Sequence, residues 1–149
     1  MDSPMLGARL FFLCGLVFLV AGFIERLAGL RSIDIMVHAT YFVVSQLHLM
    51  LLSSFVLWFY AGLYYLGVRL FGLDFSPILM IVHLSLTATA LIGLNSIRYL
   101  GIYGVEHPPA SPLLFRLAPA SGVLLLIGAV LFVVVVLLAT VARVRRAAV

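Results

Sequence analysis

From Gly122 to Val141 the chain carries no charged side chain and only one hydroxyl, that of Thr140. A helix of about 20 apolar residues matches the hydrocarbon thickness of a bilayer. Inside that layer no water can satisfy backbone N–H and C=O groups, so a spanning segment must be a helix or part of a closed barrel. Three further apolar stretches, over residues 6–24, 35–70 and 78–99, repeat the pattern. Hydrophobic residues make up 65% of the chain and charged residues 9%, against about 25% charged in a soluble globular domain. That balance excludes a water-soluble fold. A length of 149 residues holds four spans with short connections, no internal repeat and no second domain. The expected fold class is all-α: one integral membrane four-helix bundle over residues 1–149, with the lipid bilayer as its first partner.

The connections are punctuated. Glu25-Arg26 closes the first stretch with no small-residue cleavage site, so the opening run reads as a retained span and not a signal peptide. The second stretch is too long for one perpendicular crossing, and its first turns are expected at the interface. Trp58, Tyr60, Tyr64 and Tyr65 approach its far end, as interfacial aromatic belts do. Gly72 to Pro77 ends it, with Pro77 suited to a first helical position. A Pro-rich link from Glu106 to Pro112 precedes the last span. Cys14, the lone cysteine, excludes an internal disulfide and reads as a packed thiol.

Nine arginines, no lysine and five carboxylates give a net charge of +4. Arg143, Arg145 and Arg146 form a basic tail. Beside an apolar span, such a tail marks a cytoplasmic flank attracted to anionic lipid, and no polar domain exists to grip nucleic acid. With Arg9 and Arg69, five arginines fall on the side of the termini, against Arg26, Arg31, Arg98 and Arg116 opposite. Both termini are accordingly expected on the cytoplasmic side.

Within this apolar background, residues 37–50 read Val-His-Ala-Thr-Tyr-Phe-Val-Val-Ser-Gln-Leu-His-Leu-Met. Ionisable side chains inside a span are costly and default to a functional role. The run resembles a signature of the catalytic subunit I of heme-copper oxidases, close to His-Asp-Thr-Tyr-Phe-Val-Val-Ala-His-Phe-His at the start of that family's tenth helix. The resemblance extends along the chain. Leu10 to Gly22 is similar to the ninth helix, and Ser32-Ile-Asp-Ile-Met-Val-His38 to its lead-in. His83 falls where the eleventh begins, Arg98 to Gly104 parallels a Gly turn, and the last span stands in the place of the twelfth. The whole chain thus resembles only the C-terminal third of such a subunit. The resemblance implies that His48 matches the ligand of the low-spin heme, and that Gln46 stands where the family's high-spin heme ligand would be.

The departures carry equal weight. An amide such as Gln46 is a poor iron ligand beside imidazole. Ala39 replaces the family's Asp, leaving His38 without the carboxylate that binds magnesium with it. His107-Pro108 replaces an Arg pair that clamps the heme propionates. The copper ligands belong to helices this chain lacks, so no copper is expected and the chain should not reduce oxygen alone.

Each histidine also has a plain reading. His48 could hydrogen-bond a neighbouring helix, as membrane bundles often arrange, or coordinate heme iron. His38 near the surface could simply be solvated, and His107 beside Glu106 exposed. His83, with Thr87 one turn on, could make a polar inter-helix contact or supply a second axial ligand. Two functions follow. In one, His48 binds the iron of a low-spin b- or a-type heme for electron transfer, with the sixth ligand from His83, a second copy of the chain or another respiratory-complex subunit. In the other, a heme-free degenerate or split subunit has a structural role, with Ser45, Ser53, Ser54, Thr87, Thr89 and Gly93 serving helix contacts. A prokaryotic cytoplasmic membrane is the expected location. A channel or transporter has little support, since no discontinuous span or paired intramembrane charges occur.

Overall fold

The computed structural model describes the backbone of residues 5–31, 37–106 and 111–148, and side chains within 5–27, 48–96, 117 and 119–148. The side chains of His38, Ala39, Ser45, Gln46, Arg98 and His107, and the Ser32 to His38 lead-in apart from its helical last two positions, lie outside the described residues. Four helices follow in order: α1 (Leu6–Arg31), α2 (Val37–Phe71), α3 (Pro77–Glu106) and α4 (Ser111–Ala147). Each contains a stretch long and apolar enough to cross a membrane: Leu6–Leu27, His48–Phe71, Pro77–Ser96 and Pro119–Ala147. The protein is an all-helical, integral membrane chain.

The helices outrun the apolar stretches for local reasons. α2 is continuous over 35 residues, about 52 Å at the usual helical rise. α4 begins at Ser111, well before Gly122, with Pro112 in the first turn, where a missing N–H costs nothing. Pro119 then lies inside it. Between α2 and α3 the stop is sharp. Gly72 adopts φ +51°, a conformation costly for any residue with a Cβ. From there the Gly72 and Leu73 N–H groups donate to the Val68 and Gly67 carbonyls at 3.1 and 3.0 Å, capping the last turn. Pro77 opens α3, and the Ser76 carbonyl accepts from Met80 N–H at 3.1 Å.

α1 packs chiefly against α2, and α3 chiefly against α4, with the two antiparallel hairpins meeting along a shared core. The start of α1, where Gly7 lies against Met80, and the end of α4 share the end of the bundle that carries the Gly72–Pro77 break. Arg146 pairs with Asp74 at 3.1 Å, and Arg143 donates to the Phe71 carbonyl. The distribution of polarity is the reverse of a soluble protein. Val17, Phe55, Phe59, Ile78 and Leu126 point outward, while Ser53, Ser54, His83, Thr87, Asn95 and Ser121 are buried. Lipid tails solvate the apolar exterior, so helix association rests on close packing and internal polar contacts.

Candidate functional site

The centre of the bundle is an aromatic cluster around His83. Phe11 comes from α1, Tyr60 and Tyr64 from α2, and Phe132 from α4. The His83 ring lies 4.6 Å from Tyr60, edge to face, and 4.9, 5.6 and 5.9 Å from Phe11, Phe132 and Tyr64. Tyr64 Oη and His83 Nδ1 share a hydrogen bond of 2.9 Å. Neither side chain reaches the surface: exposure is 0% for His83 and 1% for Tyr64. On the other side of the ring, α4 comes close at Gly128. A Cβ there would stand 3.0 Å from Thr87 Oγ1 and 3.8 Å from His83 Cδ2. Among the described residues, His83 Nε2 and Thr87 Oγ1 are buried with no protein hydrogen-bond partner. The ring is enclosed by three other helices.

This environment corrects two expectations. Tyr60 and Tyr64 are not interfacial belt residues. They turn inward as core, whereas Tyr65 does face outward. Trp58 makes a helix contact, donating from Nε1 to the Phe12 carbonyl at 3.1 Å. Gly15 makes room for it, since a Cβ there would meet the indole at 2.6 Å. The second correction concerns His83 as a partner for His48. Tyr64 fixes the level of His83 on α2, and His48 lies 16 residues earlier on that helix, on the order of 24 Å along its axis. The two imidazoles of one chain cannot share one iron.

Of the other small and polar positions expected to serve helix contacts, Ser53 and Gly93 do so and Thr89 does not. Ser53 and Ser54 donate back to Leu49 and Met50 carbonyls at 2.9 Å. Ser53 also accepts from Asn95 Nδ2 at 3.0 Å, bridging α2 and α3. Gly93 lets Ser121 of α4 approach α3, while Thr89 faces outward. Asn95 itself was not among the residues singled out by sequence. Its signal is spacing, because 83, 87, 91 and 95 form one face of α3, and three of them are polar.

His48 occupies the opposite setting. It is exposed and shares a face of α2 with Leu52, Phe55 and Phe59, which are 59, 63 and 64% exposed. Phe55 and Phe59 continue into an apolar groove of about 620 Å³ between α2 and α4, floored by Gly122 and Leu125. Among the described residues there is no group of three or more His, Cys, Asp or Glu side chains able to hold a metal ion. A heme needs no such group. On this apolar face His48 is the described side chain with a nitrogen that could coordinate an iron.

The chain is 35% identical over 83 residues to cytochrome c oxidase subunit 1 of Tetrahymena pyriformis, covering 56% of this chain and 12% of that protein. It is 30% identical over 105 residues to cytochrome c oxidase subunit 1 of Candida albicans, covering 68% of this chain and 20% of that protein. The chain resembles oxidase subunit I. The resemblance takes in between about an eighth and a fifth of the relatives' length. No protein-family model and no solved structure matches the chain. Both organisms are eukaryotes, so these relatives lend no support to a prokaryotic membrane.

Proposed function

We propose that this chain is a subunit-I-like component of a heme-copper oxidase-type respiratory assembly and holds one low-spin heme through His48. The exposed imidazole on the Leu52, Phe55 and Phe59 face carries the reading. That face offers one axial nitrogen and an apolar bed, and the second ligand must come from outside the chain. A low-spin heme with two axial imidazoles has no open position and supplies electron transfer without oxygen chemistry. His48 would donate the nitrogen, Phe55 and Phe59 would exclude water from one edge, and the α2–α4 groove would accept apolar substituents. The four helices would act as a single transmembrane domain with partner subunits, or a second copy of the chain, across this face. Five arginines, Arg9, Arg69, Arg143, Arg145 and Arg146, lie at the end bearing the termini, which favours that end as cytoplasmic.

One observation favours a second reading, a heme-free structural subunit. His83, the only other histidine with a described side chain, is committed to Tyr64 and enclosed by aromatic rings. That ring holds helices together, and it lies too far from His48 to share an iron with it. The test is a reduced-minus-oxidised absorption spectrum of the assembly purified through this chain. Low-spin Soret and α bands that His48→Ala abolishes and His83→Ala keeps support the heme reading. Bands that survive His48→Ala, or a preparation without heme, leave the structural one.

A further inference from the structure

A second groove of about 620 Å³ runs between α1 and α2, on a different face from the His48 groove. Its floor is made of small residues, Ala8, Ala61 and Gly62, and Phe12 and Trp58 wall it at depth. Two arginines, Arg9 and Arg69, line it towards the end of the bundle that bears the chain ends. The Arg69 guanidinium lies 6.0 Å from the Tyr65 ring centroid. Among the described residues neither arginine has a carboxylate partner, and Asp74, the acid closest in sequence to Arg69, is paired with Arg146. The α2–α4 groove, equal in volume, has no charged residue in its lining.

We propose that the α1–α2 groove binds one anionic phospholipid, with the phosphate held by Arg9 and Arg69 and an acyl chain lying over Ala8, Ala61 and Gly62. The lengths agree. Arg69 and Trp58 are 11 residues apart on α2, about 16 Å along the helix. One leaflet of a hydrocarbon core about 30 Å thick is about 15 Å deep. The groove therefore runs from the headgroup layer to the region of the bilayer midplane. Arg9 begins deeper than Arg69, but arginine extends its head towards the interface while its stem stays among apolar atoms. Two uncompensated guanidiniums at one mouth call for an anion with a planar array of oxygens, which phosphate supplies. The apolar floor calls for an anion that carries a chain.

Gly62 gives a clean test, because a Cβ there meets nothing within 4 Å. A large side chain at this position fills the groove without disturbing the core. Gly122 is equally open in the other groove and serves as the control. The full chain in mild detergent is titrated with phosphatidylglycerol or phosphatidylcholine of identical acyl chains and read by native mass spectrometry. Near a membrane surface each arginine favours anionic lipid roughly fivefold, so wild type should prefer phosphatidylglycerol by tenfold or more. R9Q/R69Q should cut that preference at least fivefold, to what the Arg143, Arg145 and Arg146 tail retains. G62F should weaken binding of both lipids at least tenfold, and G122F should leave it unchanged. Equal retention of the two lipids by wild type overturns the proposal, as does a preference that R9Q/R69Q leaves undiminished. Equal effects of G62F and G122F would reveal unselective annular lipid and also sink it. Displacement by inorganic phosphate at equal concentration would mean a free anion site and refute the lipid. Should G62F prove misfolded by circular dichroism, the exposed arginine pair decides alone.

Discussion

His48 stands outside the bundle beside Leu52, Phe55 and Phe59, whereas His83 lies inside it within reach of four aromatic rings. Both are imidazoles in apolar runs of similar composition, so hydropathy cannot tell them apart. What separates them is the angular position of each on its helix and what the neighbouring helices bring to it. The inner one has its Nδ1 occupied by Tyr64 and serves cohesion. Among the described residues the outer one has no hydrogen bond or ring contact, and its exposed face is open to a partner.

The largest effect should come from His83→Ala. It opens a cavity under Phe11 and Phe132 and strands the Tyr64 hydroxyl, costing about 3 kcal/mol in reversible unfolding from mixed micelles. Gly128→Val comes next. Its Cβ would crowd Thr87 Oγ1, and overpacking of this kind costs about 1–3 kcal/mol. A crystal structure with α4 displaced from α3 would show the cause. Tyr64→Phe keeps the ring and loses only the 2.9 Å bond to His83. A single inter-helix hydrogen bond in a membrane is worth about 1 kcal/mol, measurable by the same unfolding assay as a shift smaller than that of His83→Ala. His48→Ala should change unfolding least, by less than about 0.5 kcal/mol, because the side chain is exposed. If it destabilises the isolated chain as much as His83→Ala does, the contrast between the two histidines fails and His48 is structural.

Much of the fold could be read from sequence because membrane helices obey one strong constraint, internal satisfaction of the backbone. The four apolar stretches and the Gly72–Pro77 break both depend only on local composition. The rotation of each helix about its own axis was not legible. Tyr60 and Tyr64 read as a belt because they lie near the end of a span, yet their positions on α2 turn them towards α3 and α4. Trp58 was misread for the same reason: its partner, the Phe12 carbonyl, lies 46 residues away in sequence. The polar face His83, Thr87, Asn95 was visible only in part, since an amide in a hydrophobic run says nothing of which neighbour receives it. His48 was singled out by its resemblance to an oxidase signature; that it faces outward depended on packing.

The Trp58–Phe12 contact has a practical consequence. The chain has a single tryptophan, and its indole is stacked on Phe12, 5.8 Å between centroids, while it donates to the opposite helix. Its fluorescence is therefore an unmixed reporter of the α1–α2 seam. Separation of these two helices would free the indole N–H and shift the emission spectrum, whatever happened to α3 and α4. Because the same indole walls the α1–α2 groove, brominated acyl chains entering there would quench it by contact. One intrinsic chromophore can thus follow assembly of the first hairpin and arrival of lipid, with no label attached.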